Sequence, residues 1–294
     1  MASRKRSRRL HGVPRRKRWS NRPALEILET RLVLSASQVF IAVQPPPSVV
    51  TGATFGLIAE ATDGSDNIDS SYNGTATLTL AAGPKGASLA PLSVPVISGV
   101  AVFSGLSLSR PLGSYTFSVG MTGLTSANTD SAALTTPRSG TTYFYPLPTD
   151  NQLSADVAAA DANSSTNNVI TLSPSTIPYT VTSGQMLIDN NLFPRAKALT
   201  ILGQGETNSV ITAEQLSRVF EVVGGPSSLF VTVQGLTIKR GRTTDSGGLD
   251  SSNAALGGGL LIDGGTVALS DVAVLSNTAT GATGSGGRGG TQGQ

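Results

Sequence analysis

The chain has 294 residues, of which 13% are charged and none is cysteine. The charged share is about half the roughly 25% of an average globular domain, and the missing cysteine excludes disulfide frameworks, thiolate catalysis and cysteine-based metal sites. No uninterrupted run of about 18 or more apolar residues occurs, which excludes a transmembrane helix.

The formal net charge of +3 is a composite. Arg4, Lys5, Arg6, Arg8, Arg9, Arg15, Arg16, Lys17, Arg18 and Arg22 stand in the first 22 residues with no acid among them. Removing these ten from the total of 21 basic residues leaves 11, against all 18 acidic ones. The body is therefore mildly acidic, which argues against nucleic acid as its partner. A like-charged block of this kind repels itself and reads as a disordered arm. Beyond it, Leu25, Leu28 and Leu32 share the spacing of one helix face. The order of basic block, modest apolar stretch and small residues has the logic of an export signal, although Glu26, Glu29 and Arg31 interrupt the apolar part. Leu28-Glu29-x-Arg31-x-x-Leu34-Ser35 resembles the LEPR-XLL motif at the start of large repetitive bacterial surface proteins, with Thr30 where that family has Pro. The resemblance covers about a dozen residues. It implies that residues 1–37 address the chain to export machinery and to the cell surface or beyond.

Residues 38–136 read as a β-sandwich. Alternating runs recur at Val39–Val43, Thr54–Ala61, Thr75–Leu80, Val100–Phe103, Ser114–Val119 and Ser131–Leu134, with turn residues between them. Asp63-Gly64 and Asn73-Gly74 supply turn chemistry. Pro45-Pro46-Pro47 stops the first strand, as is tolerated at a sheet edge. Six or seven short strands in about 100 residues is the size of an immunoglobulin-like module. Ala61-Thr-Asp-Gly64, Tyr72-Asn-Gly-Thr-Ala-Thr-Leu78 and Gly99-Val-Ala-Val-Phe-Ser-Gly-Leu106 resemble the immunoglobulin-like repeats of bacterial adhesins.

Residues 137–149 carry Pro137, Pro146 and Pro148 around Tyr143-Phe-Tyr145 and read as a linker packed at a junction. Thr149 or Asp150 then opens a short helix with Leu153, Val157 and Ala160 on one face. Alternating runs follow at Val169–Leu172, Tyr179–Val181, Met186–Ile188, Leu199–Leu202 and Val219–Val222. Val231–Ile238 is echoed by Val267–Val274, 36 positions later. A period of roughly 20–50 residues signals stacked repeats. A helix followed by short stacked strands predicts a capped right-handed parallel β-helix over 150–294, with a glycine-rich stretch at 281–294. Leu199-Thr-Ile-Leu-Gly-Gln-Gly205 and Arg218-Val-Phe-Glu-Val222 resemble the pectate-lyase-like β-helices of bacterial surface proteins. Gly258-Gly-Leu-Leu-Ile262 and Ser276-Asn-Thr-Ala279 resemble polymorphic outer-membrane protein repeats. The array reads as the start of something longer.

The candidate sites are few. Asp63, Asp66 and Asp69, at spacing three, are candidate Ca²⁺ ligands, with turn formation as the plainer use. The spacing is not that of an EF-type loop. A polysaccharide-lyase reading of the β-helix would draw on Glu221, Asp245, Asp250 and Asp263, with Arg218, Lys239, Arg240 or Arg242. No two of those acids stand at a tight motif spacing. His11 is the only histidine, so a histidine-centred triad is excluded. Gly203-Gln-Gly205 and Gly224-Gly225 lack the pattern of a nucleotide-binding loop. The expectation is a non-catalytic exported scaffold or adhesin, with carbohydrate or another surface ligand as partner. The alternative is a carbohydrate-active lyase or hydrolase built on the same rungs.

Overall fold

The computed structural model describes residues 35–149, 151–190, 196–224, 228–244 and 255–281. The basic arm, nearly all of the helix expected after it, Asp150, Asp245, Asp250 and residues 282–294 lie outside the described residues. Within them the fold is all-β, with one helix.

Nine strands precede residue 136: β1 (Gln38–Val43), β2 (Ser48–Val50), β3 (Thr54–Thr62), β4 (Gly74–Ala82), β5 (Leu92–Val96), β6 (Val100–Ser107), β7 (Gly113–Met121), β8 (Ala127–Asn128) and β9 (Ala132–Thr135). They form two sheets, ordered β1-β3-β6 and β2-β9-β7-β4-β5, with β8 beside β7. The chain changes sheet at Pro45-Pro46-Pro47, which separates β1 from β2. Period-two alternation determines which side chains turn inward. On β7, Tyr115, Phe117, Val119 and Met121 are buried. They meet Phe55, Leu57, Ala59 and Phe103 of the other sheet in one core, where the Phe55 and Phe117 ring centroids stand 6.1 Å apart. Asp63-Gly64 and Asn73-Gly74 lie in the crossing from one sheet to the other, because β3 does not pair with β4. A two-residue turn falls instead at Ser98-Gly99, both at positive φ, closed by reciprocal bonds between Ile97 and Val100.

β3 is buried on both faces, and the reason lies later in the chain. Its second face, carrying Gly56 and Ile58, packs with Val43 and Leu147 in a small core that Ile177 flanks. Backbone bonds reinforce the contact: Gln44 N–H donates to Pro174 O at 2.9 Å and Thr176 N–H to Ala42 O at 2.9 Å.

The second half is built from parallel strands. These are β10 (Thr141–Phe144), β11 (Asn167–Thr171), β12 (Tyr179–Thr180), β13 (Met186–Ile188), β14 (Lys197–Leu202), β15 (Val210–Thr212), β16 (Phe220–Val222), β17 (Leu229–Lys239), β18 (Arg242–Thr244), β19 (Leu260–Ile262), β20 (Thr266–Leu275) and β21 (Thr278–Thr280). The expected linker thus contains β10, which pairs in parallel with β11. One curled sheet runs β10-β11-β14-β17-β15-β12, with β20 on β17; β13-β16-β19 and β18-β21 form two smaller parallel sheets. The echo noted in the sequence is a register: Val231 pairs with Val267 and Ile238 with Val274. Inward positions stack as like on like. Ile170, Ile201 and Val233 form one column, and Tyr179, Ile211 and Ile238 form another; all six are buried.

β17 serves two upstream strands at once. Its first half pairs with β14 and its second with β15. Seven residues intervene between Leu202 and Val210, whereas two intervene between Gln234 and Thr237. The longer stretch, 203–209, leaves the sheet and returns. Gly235 adopts a positive φ at this corner, and a β-carbon on Gly203 would stand 2.8 Å from the Leu236 side chain.

α1 (Gln152–Ala162) packs beside β13 and β11. Leu153, Val157 and Ala160, the face expected from spacing, share the core of the parallel half. The cap differs from expectation. Asn151 holds the N-cap position at positive φ without a side-chain cap bond. Its Oδ1 instead accepts from Thr182 N and Oγ1 at 2.9 and 2.8 Å, tying the helix start to the residues that follow β12. At the other end Asn163 Nδ2 donates to Ala159 O and Ala160 O, satisfying carbonyls that a helix terminus leaves open.

Candidate functional site

Outward residues of the parallel sheet also form columns. Thr141, Asn167 and Ala198 are successive partners, as are Tyr143, Val169 and Thr200, while Thr171 partners Leu202. These columns floor a groove of about 910 Å³, within the size range of small-molecule and cofactor sites. Pro47, Ser48 and Val50 of the antiparallel half and Thr135-Thr136 wall it, and Arg138-Ser139 lie at its rim.

Two tyrosines hold wall and floor together. Val50 N–H donates to Tyr145 Oη at 3.1 Å, and burial pushes the Tyr145 phenol up to about 12. Tyr143, half-buried, accepts from Arg138 N–H at 3.2 Å. Tyr143 lines the groove beside its register partner Val169 and packs on its other side against the antiparallel core. Among the described lining residues the only charge is Arg138, and its exposed guanidinium pairs with no carboxylate of the described residues. The remaining polar groups are hydroxyls and amides, so the site offers donors, acceptors and one cation without a carboxylate.

The residues named from sequence fall elsewhere. Asp63 Oδ1 accepts from Ser65 N and Asn67 N at 2.7 and 3.0 Å. The Asn67 side chain, then the Ser65 and Asn67 amides, hold its carboxyl below the usual range. Asp66 accepts from Gln38 Nε2 at 2.9 Å. Asp69 accepts from Ser71 and from Ala36 N, with its pKa lowered in that order of cause. Asp63 and Asp69 thus brace the turns they stand in, while Asp66 ties its turn to β1. Among the described residues no group of three or more histidines, aspartates or glutamates is placed to hold a metal ion.

The acid–base set is likewise dispersed. Arg218 is buried and serves as a strut. Its Nε donates to Gly257 O and its Nη2 to Leu256 O, both at 2.8 Å, while Nη1 reaches Gln185 Oε1 at 2.6 Å. Glu221 stands 3.6 Å from Arg218 and accepts from Gln185 Nε2. Arg240 pairs with Glu214 at 2.9 Å, both half-exposed. Lys239 ends β17, Arg242 begins β18, and Asp263 is exposed just after β19. Asp245 and Asp250 lie outside the described residues. Among those described, only Arg218 and Glu221 meet.

No protein-family model matches the chain, and no curated protein is significantly similar to it. No helix of the described residues is long and apolar enough to cross a membrane.

Sequence reading placed Tyr143 in a linker and Thr200 in a strand run, and named neither of them, nor Arg138 or Asn167, as a site residue. The alternation of polar residues in Asn167–Thr171 and Ala198–Leu202 is visible in the sequence as an outward face. The wall is not, because Ser48 and Thr135 reach that face only through docking of segments far apart in the chain.

Proposed function

We propose that this chain is an exported, non-catalytic scaffold of the bacterial cell surface or extracellular space, in which an immunoglobulin-like sandwich leads into a right-handed parallel β-helix that presents a ligand-binding face. The observation that carries the reading is the outward face of the parallel strands along the groove, where Thr141, Asn167, Thr171, Thr200 and Gln204 stand among Val169, Ala198 and Leu202, with no carboxylate among the described lining residues. The sandwich assignment is supported by strand order and by Tyr115, whose Oη donates to Pro111 O four residues upstream at 2.6 Å. That is the arrangement of a tyrosine corner. The β-helix assignment is supported by in-register parallel pairing at successive rungs and by α1 packing beside β13 and β11. Export is supported by the basic segment and its LEPR-XLL likeness.

Cell fractionation and protease shaving of intact cells test the proposal. The full chain should be accessible from outside, and a chain lacking residues 1–36 should remain in the cytoplasm. Arrival of the truncated form at the surface would overturn the targeting reading. Appearance of unsaturated product from polygalacturonate with Ca²⁺ would overturn the non-catalytic one.

A further inference from the structure

We infer that the groove between the two halves is a composite site for an acidic glycan, binding a sugar chain whose anionic substituent pairs with Arg138 while a sugar ring lies against Tyr143. This rests on the adhesive reading above and names its ligand class. Three features point to a glycan. The groove has the dimensions of a ligand site rather than a flat contact. Its lining sets neutral hydroxyls and amides, Thr135, Asn167, Thr200 and Gln204 among them, beside the apolar Val50, Val169 and Leu202, a mixture that matches the hydroxyls and the C–H faces of a sugar. Tyr143 adds an apolar surface with a polar tip, suited to the faces of a pyranose ring. The anionic preference follows from charge: one unpaired arginine and no lining carboxylate among the described residues. Guanidinium recognises carboxylate or sulfate through paired hydrogen bonds.

Other occupants fit less well. A nucleic acid needs several cations along its phosphates, and the groove offers one. A peptide added as an extra strand needs an open sheet edge. Here β2 is three residues long, follows three prolines, and has already given its Val50 N–H to Tyr145. Because Ser48 and Thr135 come from the antiparallel half and Asn167 and Thr200 from the parallel half, neither half contains the site alone.

The test titrates the full chain calorimetrically with hyaluronan oligosaccharides and with the same oligosaccharides after reduction of their carboxyl groups. The native chain should bind the acidic form at least about tenfold more tightly than the reduced one, as loss of a charge-assisted bond implies. Arg138→Gln should abolish that preference. Thr200→Trp, which fills the floor without changing charge, should abolish binding of both forms while leaving the circular dichroism spectrum intact. Equal binding of the acidic and reduced forms, an Arg138→Gln protein of native affinity, or tighter binding of a polyanionic oligonucleotide at the same groove would each overturn the inference. Failure here with surface exposure intact removes the ligand but leaves the scaffold reading standing. A cytoplasmic full chain removes the scaffold reading whatever the titration gives.

Discussion

Two glycines in the antiparallel half receive the same substitution with opposite expected sign. A β-carbon on Gly56 would overlap the Phe103 carbonyl oxygen and stand 2.7 Å from Leu147 Cδ1. Carbon atoms pack best at about 3.5–4.0 Å, so Leu147 must retreat by about 1 Å, and the Phe103 backbone, fixed in β6, must move as well. Overpacking of this kind costs about 1–3 kcal/mol. A β-carbon on Gly120 meets nothing within 4 Å, so Gly120→Ala gains about 0.4–1 kcal/mol from a less flexible unfolded chain. At about 2–4 °C per kcal/mol for a domain of this size, the melting temperatures of the two variants should differ by at least about 3 °C, Gly56→Ala being the lower. Urea denaturation followed by circular dichroism measures the same difference independently. Leu147→Ala should cost less in the Gly56→Ala background than alone, because the double variant relieves part of the clash. Equal stability of the two alanine variants, or strict additivity with Leu147→Ala, would refute the packing of Leu147 onto β3.

Three further outcomes follow. Arg218→Met should destabilise the chain by at least about 1 kcal/mol for each carbonyl left without its donor, measured by urea unfolding, while leaving glycan binding at the groove unchanged. Burial pushes the carboxyls of Asp156 and Asp161 up to about 6. The unfolded chain, with ordinary aspartates, releases those protons first, so their contribution to stability falls as pH rises from about 4 to about 6. Thermal scans should therefore show a higher melting temperature at pH 4.5 than at pH 7, and Asp156→Asn should flatten that slope. Asp63 titrates the opposite way, its contribution being present above the ordinary aspartate range and lost as pH falls below it. Asp63→Ala should lower the melting temperature by the same amount in Ca²⁺ and in a chelator, since the lost bonds are those to Ser65 and Asn67.

What the sequence made legible was local. Alternation located β1, β3, β4, β6, β7 and β9, because side-chain direction along a strand is fixed by the pleat. The 36-residue echo gave the register of β17 on β20, because like residues stack when rungs repeat. The helix face of Leu153, Val157 and Ala160 followed from spacing alone. What stayed hidden depended on partners far away. Thr141–Phe144 is a strand only because β11 lies beside it. Asn151 displaces the expected cap because Thr182 captures its side chain. Arg218 looked like a candidate base, but Leu256, Gly257 and Gln185 surround it and make it a strut. The groove needs residues from two halves of the chain.

The detour at residues 203–209 marks where the parallel sheet accommodates extra chain length. Five more residues pass through this corner than through the one stacked on it, yet Leu202 and Val210 resume their pairing with β17 on either side. This corner therefore takes up extra residues without a change in the columns of the interior. Gln204 sits in that corner and lines the groove. Lengthening or trimming this corner would reshape the groove at Gln204 while keeping the same parallel strand pairing.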